Sequence, residues 1–225
     1  AFEGHPKIGD VRSLKKRFSN TKTWANKEQE SVAEASQGVL EDLAKANDEY
    51  AVKFGYIFIV SATGKSADEM LKIIQARLLN NPNDEIRIAM GEQHKITVIR
   101  LLKLIEGLDK TDLRSYLTTH VLDTTTGIPA KNVVITLKEF VTGTWRAVSM
   151  GLTNDDGRIS NLLPPAKNLE AGKYLMVFTT QDYYQSQEQT GFYPEVAIQF
   201  LVSNHDHYHV PLLLNPYGYT TYRGS

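Results

Sequence analysis

The sequence predicts a protein of two domains, an all-α domain over residues 1–110 followed by an antiparallel β-sandwich over residues 111–225. In the first half, apolar residues recur every three or four positions, which is the period of amphipathic helices. From about Tyr116, short runs rich in β-branched and aromatic residues alternate with turn signals, which is typical of a sandwich. Residues 106–115 form a short polar stretch between the two patterns and mark the expected boundary.

Composition and charge exclude several classes of function. The 25 basic and 26 acidic residues of this 225-residue chain nearly cancel, so it lacks the positive excess of a nucleic-acid-binding protein. There are no cysteines, which excludes a disulfide framework and thiol chemistry. The longest apolar runs, such as Tyr56–Val60 and Val210–Leu214, are too short to span a bilayer. We therefore expect a soluble protein with no nucleic-acid partner and no membrane insertion.

Three helices and one apolar segment are predicted in the first half. Trp24–Asn47 has apolar residues on one face and most of its acidic residues elsewhere, as an amphipathic helix does. Ser66–Leu79 begins with a capping box, a serine followed three residues later by glutamate. A long helix is expected at Asn83–Ile105. Phe54–Ala62 is apolar throughout and is either extended or a buried helical segment, because periodicity does not distinguish the two.

Seven strands are predicted in the second half, and no helix is needed there, although Val196–Phe200 fits either a strand or a short helix. Strong turn signals at Thr125–Pro129 and Asn154–Gly157 separate neighbouring runs. The predicted strands are Leu117–Leu122, Asn132–Phe140, Trp145–Leu152, Arg158–Leu162, Lys173–Thr179, Val196–Val202 and Tyr208–Leu214. Their near-regular spacing favours two packed antiparallel sheets.

The last segment of the chain carries three alternate histidines, His205, His207 and His209. On a strand, alternate residues share one face, so the three imidazoles would point the same way. The residues alone leave three interpretations open. The rings face water, they bind a zinc ion together with ligands from elsewhere, or one of them transfers protons near neutral pH beside a cation.

Three stretches of the second half resemble a known enzyme family. They are LTTHVLDTTTGIPA, TNDDGRI and HYHVPLLLNPYGYTTYRGS, and they are similar to the 5-hydroxyisourate hydrolases, whose fold is the transthyretin-like β-sandwich. The resemblance covers residues 116–225 and implies that His120, Arg158 and His209 are catalytic. It also implies that the C-terminal tail lines the site, namely Tyr222, Arg223, Gly224 and Ser225. One departure is Asn215, where the family usually has serine.

The chemistry of that family suits these residue types. Opening the amide-like ring bond of 5-hydroxyisourate needs a neutral base to deprotonate water and a cation to stabilise the developing oxyanion. A histidine pair and an arginine provide both, so no metal or other cofactor is expected. The resemblance leaves His207 as a neighbour of the site and His205 as a surface residue. It also implies a homo-oligomer, a tetramer formed through the β domain with its sites between subunits.

The first half resembles a second family. The stretches GHPKIG, ANKEQ, FGYIFIVSATGKS and KITVIRLLKL are similar to 2-oxo-4-hydroxy-4-carboxy-5-ureidoimidazoline (OHCU) decarboxylase. The resemblance implies that His5 is the proton donor, Glu28 a second acid-base residue and Arg100 the partner of a carboxylate or ureido group. Taken alone, His5 would be a loop residue before proline, and Glu28 a solvated carboxylate in a first helical turn. The expected substrate contacts are Pro6, Ala25, Asn26, Lys27, Gln29, Phe58, Ile59, Val60, Ser61 and Ala62.

Together the two halves resemble the plant bifunctional allantoin synthases, in which the hydrolase product is decarboxylated to S-allantoin. Helices that precede the His-Pro motif in that family are missing before Ala1, and Thr63 stands where many members have arginine. If this sequence is the whole chain, we expect a decarboxylase domain that lacks its N-terminal helices and is impaired unless another chain completes it. If further residues precede Ala1, we expect an active decarboxylase. No targeting signal is visible, and a peroxisomal or cytoplasmic location is expected. The alternative function is a small-ligand carrier of the transthyretin type, without catalysis.

Overall fold

The computed structural model describes residues 29–62, 65–102, 115–159, 162–164 and 167–224. Within these residues the chain divides into two compact units, the first ending at Glu85 and the second beginning at Ile86. The predicted boundary at residues 110 and 111 lies outside the described residues. No helix in the described ranges is long and apolar enough to cross a membrane.

The first unit is built from helices, and the last of them continues into the second unit. The helices are α1 (Gln29–Phe54), α2 (Ala67–Leu78) and α3 (Pro82–Leu102). The predicted end of α1 at Asn47 is wrong, because its buried face continues through Tyr50, which is fully buried. α1 ends just before Gly55, whose φ of 78° is the left-handed conformation that commonly follows a helix.

The predicted capping box at the start of α2 is confirmed. Ser66 Oγ accepts the Glu69 N–H at 3.2 Å, and Glu69 Oε2 accepts the Ser66 N–H at 2.7 Å. Two N–H groups that a helix start leaves without an intrahelical partner are thereby satisfied. The helix ends at Leu78, and Leu79, the predicted end, is its C-cap.

A buried ion pair joins the helices to the apolar segment that follows α1. Arg77 on α2 donates from Nε to Glu85 Oε1 at 2.7 Å, and the Tyr50 hydroxyl donates to the same carboxylate oxygen. Arg77 also donates from Nη1 to the Ile59 carbonyl at 2.6 Å. The Ile59 carbonyl therefore bonds to a side chain and not within a helix. Residues 57–62 are not helical, and Phe58–Ser61 is buried, so the helical alternative predicted for this segment is excluded.

The second unit contains a β-sandwich of two four-stranded sheets. Its elements are β1 (Leu117–Thr118), β2 (Val121–Asp123), β3 (Ile128–Pro129), β4 (Val134–Val141), β5 (Thr144–Leu152), β6 (Gly172–Thr179), α4 (Gln181–Ser186), β7 (Glu195–Val202), β8 (Tyr208–His209), β9 (Leu212–Asn215) and β10 (Gly218–Thr221). One sheet has the order β5-β4-β6-β7, the other has the order β10-β9-β2-β3, and β1 pairs separately with β8. The predicted sandwich is confirmed.

Two strand pairs are parallel, contrary to the antiparallel arrangement predicted. β1 runs parallel to β8, and β2 runs parallel to β9. In each pair the partners come from opposite ends of the domain sequence, so no hairpin turn forces them to run in opposite directions. The first and last segments of the domain therefore lie side by side, which brings His120 and His209 into one region.

Several predicted strands are interrupted or absent. Leu117–Leu122 divides into β1 and β2, and Tyr208–Leu214 divides into β8 and β9. Pro211 lies at the second break, because proline has no N–H to donate to a ladder. Where the predicted strand Arg158–Leu162 is described, its first residue makes only an isolated bridge, to His120. The short helix α4 and the last strand β10 were not predicted.

The core of the sandwich lies between the two sheets. Along β4 and β6, buried residues mostly alternate with half-buried ones, as expected where one face covers a core. Burying one large apolar side chain contributes roughly 1.5–3 kcal/mol. The fully buried members include Leu117, Val121, Ala130, Val133, Ile135, Leu137, Leu162, Met176, Phe178 and Leu212. This core fixes β1, β2 and β9, the strands that border the candidate site.

Candidate active site

The three predicted catalytic residues of the β domain lie on neighbouring backbone segments. His209 is in β8, which pairs with β1 so that Thr118 stands opposite His209. His120 follows β1 and forms an isolated bridge with Arg158. The His120 carbonyl also accepts the Leu212 N–H at 2.8 Å. Main-chain pairing therefore brings both histidines and the arginine into one region of the β domain.

A tight turn, Asn154–Gly157, presents Arg158. Asn154 Oδ1 accepts the Arg158 N–H at 2.9 Å, and the Gly157 carbonyl accepts the Val121 N–H at 2.9 Å. Gly157 has a φ of 65°, and a Cβ built there would lie 2.3 Å from the Val121 carbonyl oxygen. Glycine is therefore required at this position for the turn to hold Arg158 against the start of β2.

The ring of His209 is held on two sides. On one side, Nδ1 lies 2.9 Å from Thr118 Oγ1. On the other, Gly224 pairs with His209 and donates its N–H to the His209 carbonyl at 2.9 Å. A Cβ built on Gly224 would lie 2.4 Å from His209 Cδ2, so the tail packs directly on the ring. Nε2 is the ring nitrogen that these contacts leave for water or substrate.

Both predicted catalytic histidines have lowered pKa values. Burial lowers the pKa of His120 below its ordinary value of 6.5, and the positive charge of Arg158 lowers it further. Burial likewise lowers the pKa of His209, and Arg158 and His207 add to that effect. A lowered pKa favours the neutral ring, so each histidine has a lone pair available at neutral pH.

The three histidines of the last segment do not share a strand face. β8 contains only Tyr208 and His209, and His205 is exposed in the bend before it. His207 is also exposed, and its Nε2 lies 2.9 Å from Thr118 Oγ1. Across the described ranges, no group of three potential metal-binding side chains occurs. The strand face on which the zinc interpretation depended is therefore not formed.

Besides Gly224, the tail residues predicted to line the site are Tyr222, Arg223 and Ser225, and no contact with the His209 ring is described for them. The Arg223 guanidinium lies 5.2 Å from the centre of the Tyr208 ring, a cation–π contact. Successive side chains of a strand point in opposite directions, so Arg223 lies on the Tyr208 side of β8 and not on the His209 side. Tyr222 is exposed, and Ser225 lies outside the described residues.

The predicted site residues of the helical domain are described only in part. His5, Pro6, Ala25, Asn26, Lys27 and Glu28 lie outside the described residues, and Gln29 is the first residue of α1. Phe58–Ala62 is mostly buried, and Lys65 Nζ donates to the Ser61 carbonyl at 2.9 Å. Arg100 is exposed near the end of α3. The structure therefore describes the predicted contact segment but neither predicted acid-base residue.

Thr118 belongs to the site, and sequence reasoning did not single it out. Its hydroxyl lies within hydrogen-bonding distance of both His207 and His209. The only signal in the sequence is its place two residues before His120. Its partner His209 is 91 positions away, so the contact depends on the register between β1 and β8, which no local pattern reveals.

The described chain has a helical unit followed by a β-sandwich that carries two histidines and an arginine in one region, and family models match both parts. The HIUase/Transthyretin family model matches residues 117–224, and the OHCU decarboxylase model matches residues 1–102. The uric acid degradation bifunctional protein TTL of Arabidopsis thaliana is 32% identical over 100% of this chain and 84% of that protein.

Two further similarities are with a mouse protein and a solved structure. The 5-hydroxyisourate hydrolase of Mus musculus is 42% identical over 49% of this chain and 96% of that protein. The crystal structure of (S)-allantoin synthase is 29% identical, covers 96% of this chain and 82% of that chain, and has a TM-score of 0.46. This chain belongs to the family of proteins that join an OHCU decarboxylase domain to a HIUase/transthyretin domain. The predicted family, its two enzyme classes and the α plus β architecture are confirmed.

Proposed function

We propose that this chain is a bifunctional enzyme of urate degradation, which hydrolyses 5-hydroxyisourate to OHCU and decarboxylates OHCU to S-allantoin. One observation carries the hydrolase assignment. His120 forms a bridge with Arg158, and His209 lies on the strand that pairs with the segment leading into His120, so main-chain pairing gathers both rings and the guanidinium in one site. The 5-hydroxyisourate hydrolases of Salmonella typhi and mouse, which match the β domain, support the same reaction. The decarboxylase is supported by the match over residues 1–102 and by the bifunctional Arabidopsis relative.

The hydrolase reaction uses a base and a cation. A neutral histidine takes a proton from water while the water oxygen attacks the ring carbonyl. The carbonyl oxygen gains negative charge, and the Arg158 guanidinium stabilises it. Loss of a contact of this kind costs about 10²–10³-fold in kcat. When the intermediate collapses, the ring C–N bond breaks and the protonated histidine returns its proton to the leaving nitrogen.

A small-ligand carrier is the less favoured function. Small-molecule sites are lined mostly by apolar side chains with a few polar groups. The site described here instead presents the imidazoles of His120 and His209, the guanidinium of Arg158 and the hydroxyl of Thr118. These groups transfer protons and stabilise an anion, which a carrier does not require.

The active form that we propose is a homotetramer assembled through the β domain. β7 and β10 lie at the edges of the two sheets, and Leu201 on β7 and Tyr219 on β10 are exposed. Exposed edges with apolar side chains suit pairing with another copy. Light scattering measures the mass of the assembly, and activity measured on dilution shows whether hydrolysis needs it. A peroxisomal or cytoplasmic location is part of the same proposal, and cell fractionation tests it.

One assay tests both proposed activities. 5-Hydroxyisourate is generated in situ by enzymatic oxidation of urate, its ultraviolet absorbance follows hydrolysis, and circular dichroism follows the allantoin formed. We expect faster decay of the absorbance and optically active allantoin. Racemic allantoin after fast decay would contradict the decarboxylase assignment, and decay without acceleration would contradict the hydrolase assignment. Activity that survives a chelator would separate the histidine-arginine mechanism from zinc chemistry.

A further inference from the structure

We infer that Thr118 is a positioning residue of the hydrolase, whose hydroxyl bridges the rings of His207 and His209 and fixes which nitrogen of His209 acts as the base. The inference rests on the proposed hydrolase function and adds a role to a residue outside the predicted catalytic set. Thr118 does not need to touch the substrate, because it acts through the orientation and the tautomer of His209.

The threonine is rigidly placed between the two rings. Its Oγ1 lies 2.9 Å from His209 Nδ1 and 2.9 Å from His207 Nε2. Its carbonyl accepts the Val210 N–H at 3.0 Å, and its neighbour Leu117 is fully buried in the core. The hydroxyl therefore stays near both rings unless the pairing of β1 with β8 breaks.

The single proton of the Thr118 hydroxyl limits the directions that the two hydrogen bonds can take. A hydroxyl has one proton to donate, so Thr118 can donate to one ring only. If it donates to His207 Nε2, then His209 donates its Nδ1–H to Thr118 and keeps a lone pair on Nε2. If it donates to His209 Nδ1, the neutral His209 ring carries its proton on Nε2 and has no lone pair there. Thr118 therefore couples the tautomers of the two rings.

When Thr118 donates to His207, His209 is able to act as a base. Nδ1 is occupied by Thr118, and the Cδ2 edge lies against Gly224. Nε2 is the remaining nitrogen, and a base must present its lone pair to water or substrate. Fixing a ring tautomer through a hydrogen bond at the other nitrogen is the usual way that proteins prepare a histidine. His207 Nε2 accepts the hydrogen bond that the Thr118 hydroxyl donates. The hydroxyl oxygen is then left to accept the Nδ1–H of His209.

Nitrogen-15 NMR of the full chain, labelled at histidine, tests the inference. At neutral pH we expect the His209 ring to carry its proton on Nδ1. Thr118→Val keeps the shape of the side chain and removes the hydroxyl, so we expect this tautomer preference to be lost. We also expect kcat/KM for 5-hydroxyisourate to fall by about 10- to 100-fold, as when an imidazole loses its orienting partner. The loss should appear in kcat and not in KM, and Thr118→Ser should restore both the tautomer and the rate.

Thr119→Val is the matched control. Thr119 is buried, and its hydroxyl donates to the Val210 carbonyl at 2.7 Å and not to either ring. This variant should lower Tm while leaving the His209 tautomer and the pH profile of kcat/KM unchanged. A proton on Nε2 of His209 in the unaltered chain would overturn the inference, and so would an unchanged kcat/KM in Thr118→Val. Either result is distinct from failure of the proposed function, which would appear as unaccelerated decay with the unaltered chain.

Discussion

His209 and Gly224 form an isolated antiparallel bridge, in which Gly224 donates its N–H to the His209 carbonyl at 2.9 Å. The bridge places the C-terminal tail against the predicted catalytic ring. A Cβ at position 224 would lie 2.4 Å from His209 Cδ2, which is closer than side chains approach one another. The tail can lie in this position only because the residue is glycine.

Gly224→Ala is therefore expected to displace the tail or to turn the His209 ring. A catalytic group that moves by about 1 Å can cost about 100-fold in rate, and we expect a loss of that order in kcat/KM for 5-hydroxyisourate. Gly218→Ala is the control, because a Cβ there meets its nearest neighbour at 3.6 Å, an ordinary contact. Steady-state kinetics and Tm are measured for both variants. Full activity in Gly224→Ala would show that the tail is not part of the site.

The pH dependence of hydrolysis follows from the lowered pKa values of His120 and His209. Because their pKa values lie below 6.5 in the folded chain, the neutral rings persist below pH 6.5 and are lost only as the pH falls through the lowered values. The acid limb of kcat/KM should therefore lie below pH 6.5. Folding stability contributed by these rings should also decrease as the pH falls below 6.5, because the unfolded chain binds protons more readily. An acid limb above pH 6.5 would disagree with this electrostatic account.

Arg158→Met should have two separate effects. The developing oxyanion loses its cation, which lowers kcat by about 10²–10³-fold. The pKa values of His120 and His209 should rise toward 6.5, because the positive charge that lowers them is removed. The acid limb of kcat/KM should therefore move to higher pH.

Arg146→Met provides the matched control for that substitution, since Arg146 lies on β5 and not beside the candidate site. Its rate and pH profile should equal those of the unaltered chain. A fall in rate without movement of the acid limb in Arg158→Met would mean that the guanidinium does not act on the two rings.

In the helical unit, Arg77→Met should strongly destabilise the fold. The substitution leaves the buried carboxylate of Glu85 without its cation, and such a loss costs about 3–5 kcal/mol. Lys72→Met on the same helix is the control, because Lys72 is exposed and the change should stay within about 0.5 kcal/mol. Denaturant unfolding followed by circular dichroism measures both. Equal stability of the two variants would contradict a structural role for the ion pair.

The hydrogen bonds of Arg77 also allow a test of decarboxylase activity. Arg77 holds the Ile59 carbonyl, and Ile59 lies in the segment predicted to contact OHCU. The double variant Arg77→Met with Glu85→Gln removes both charges and should be less destabilised than the two single changes added together. Decarboxylation should still be impaired in the double variant, because the Ile59 carbonyl has lost its donor. Full decarboxylase activity would show that this anchor does not matter for the reaction.

Local patterns in the sequence are sufficient to predict some elements of the fold. The Ser66 capping box was confirmed because both of its hydrogen bonds form within four consecutive residues. The predicted end of α1 at Asn47 was wrong, because the helix continues until the glycine that can adopt a positive φ. The short helix α4 was missed, since its six residues carry no apolar period of sufficient length.

The candidate site depended on relationships that no local pattern contains. His120, Arg158 and His209 were proposed from motif resemblance, and the structure places them on adjoining segments. Their proximity results from a parallel pairing between the first and last segments of the domain, whereas the sequence favoured antiparallel pairs. The role of Thr118 can be recognised only from the register of β1 against β8. The need for glycine at position 224 can be recognised only from the distance to the His209 ring.

The assignment of His209 as the base is tested by the rate of 5-hydroxyisourate decay, measured with the unaltered chain and with His209→Ala. The unaltered chain should accelerate the decay, and His209→Ala should lose about 100-fold or more of that acceleration, the contribution usual for a general base. His205→Ala, which changes an exposed residue of the preceding bend, should keep the full rate. Equal acceleration by His209→Ala and the unaltered chain would contradict the assignment of this site.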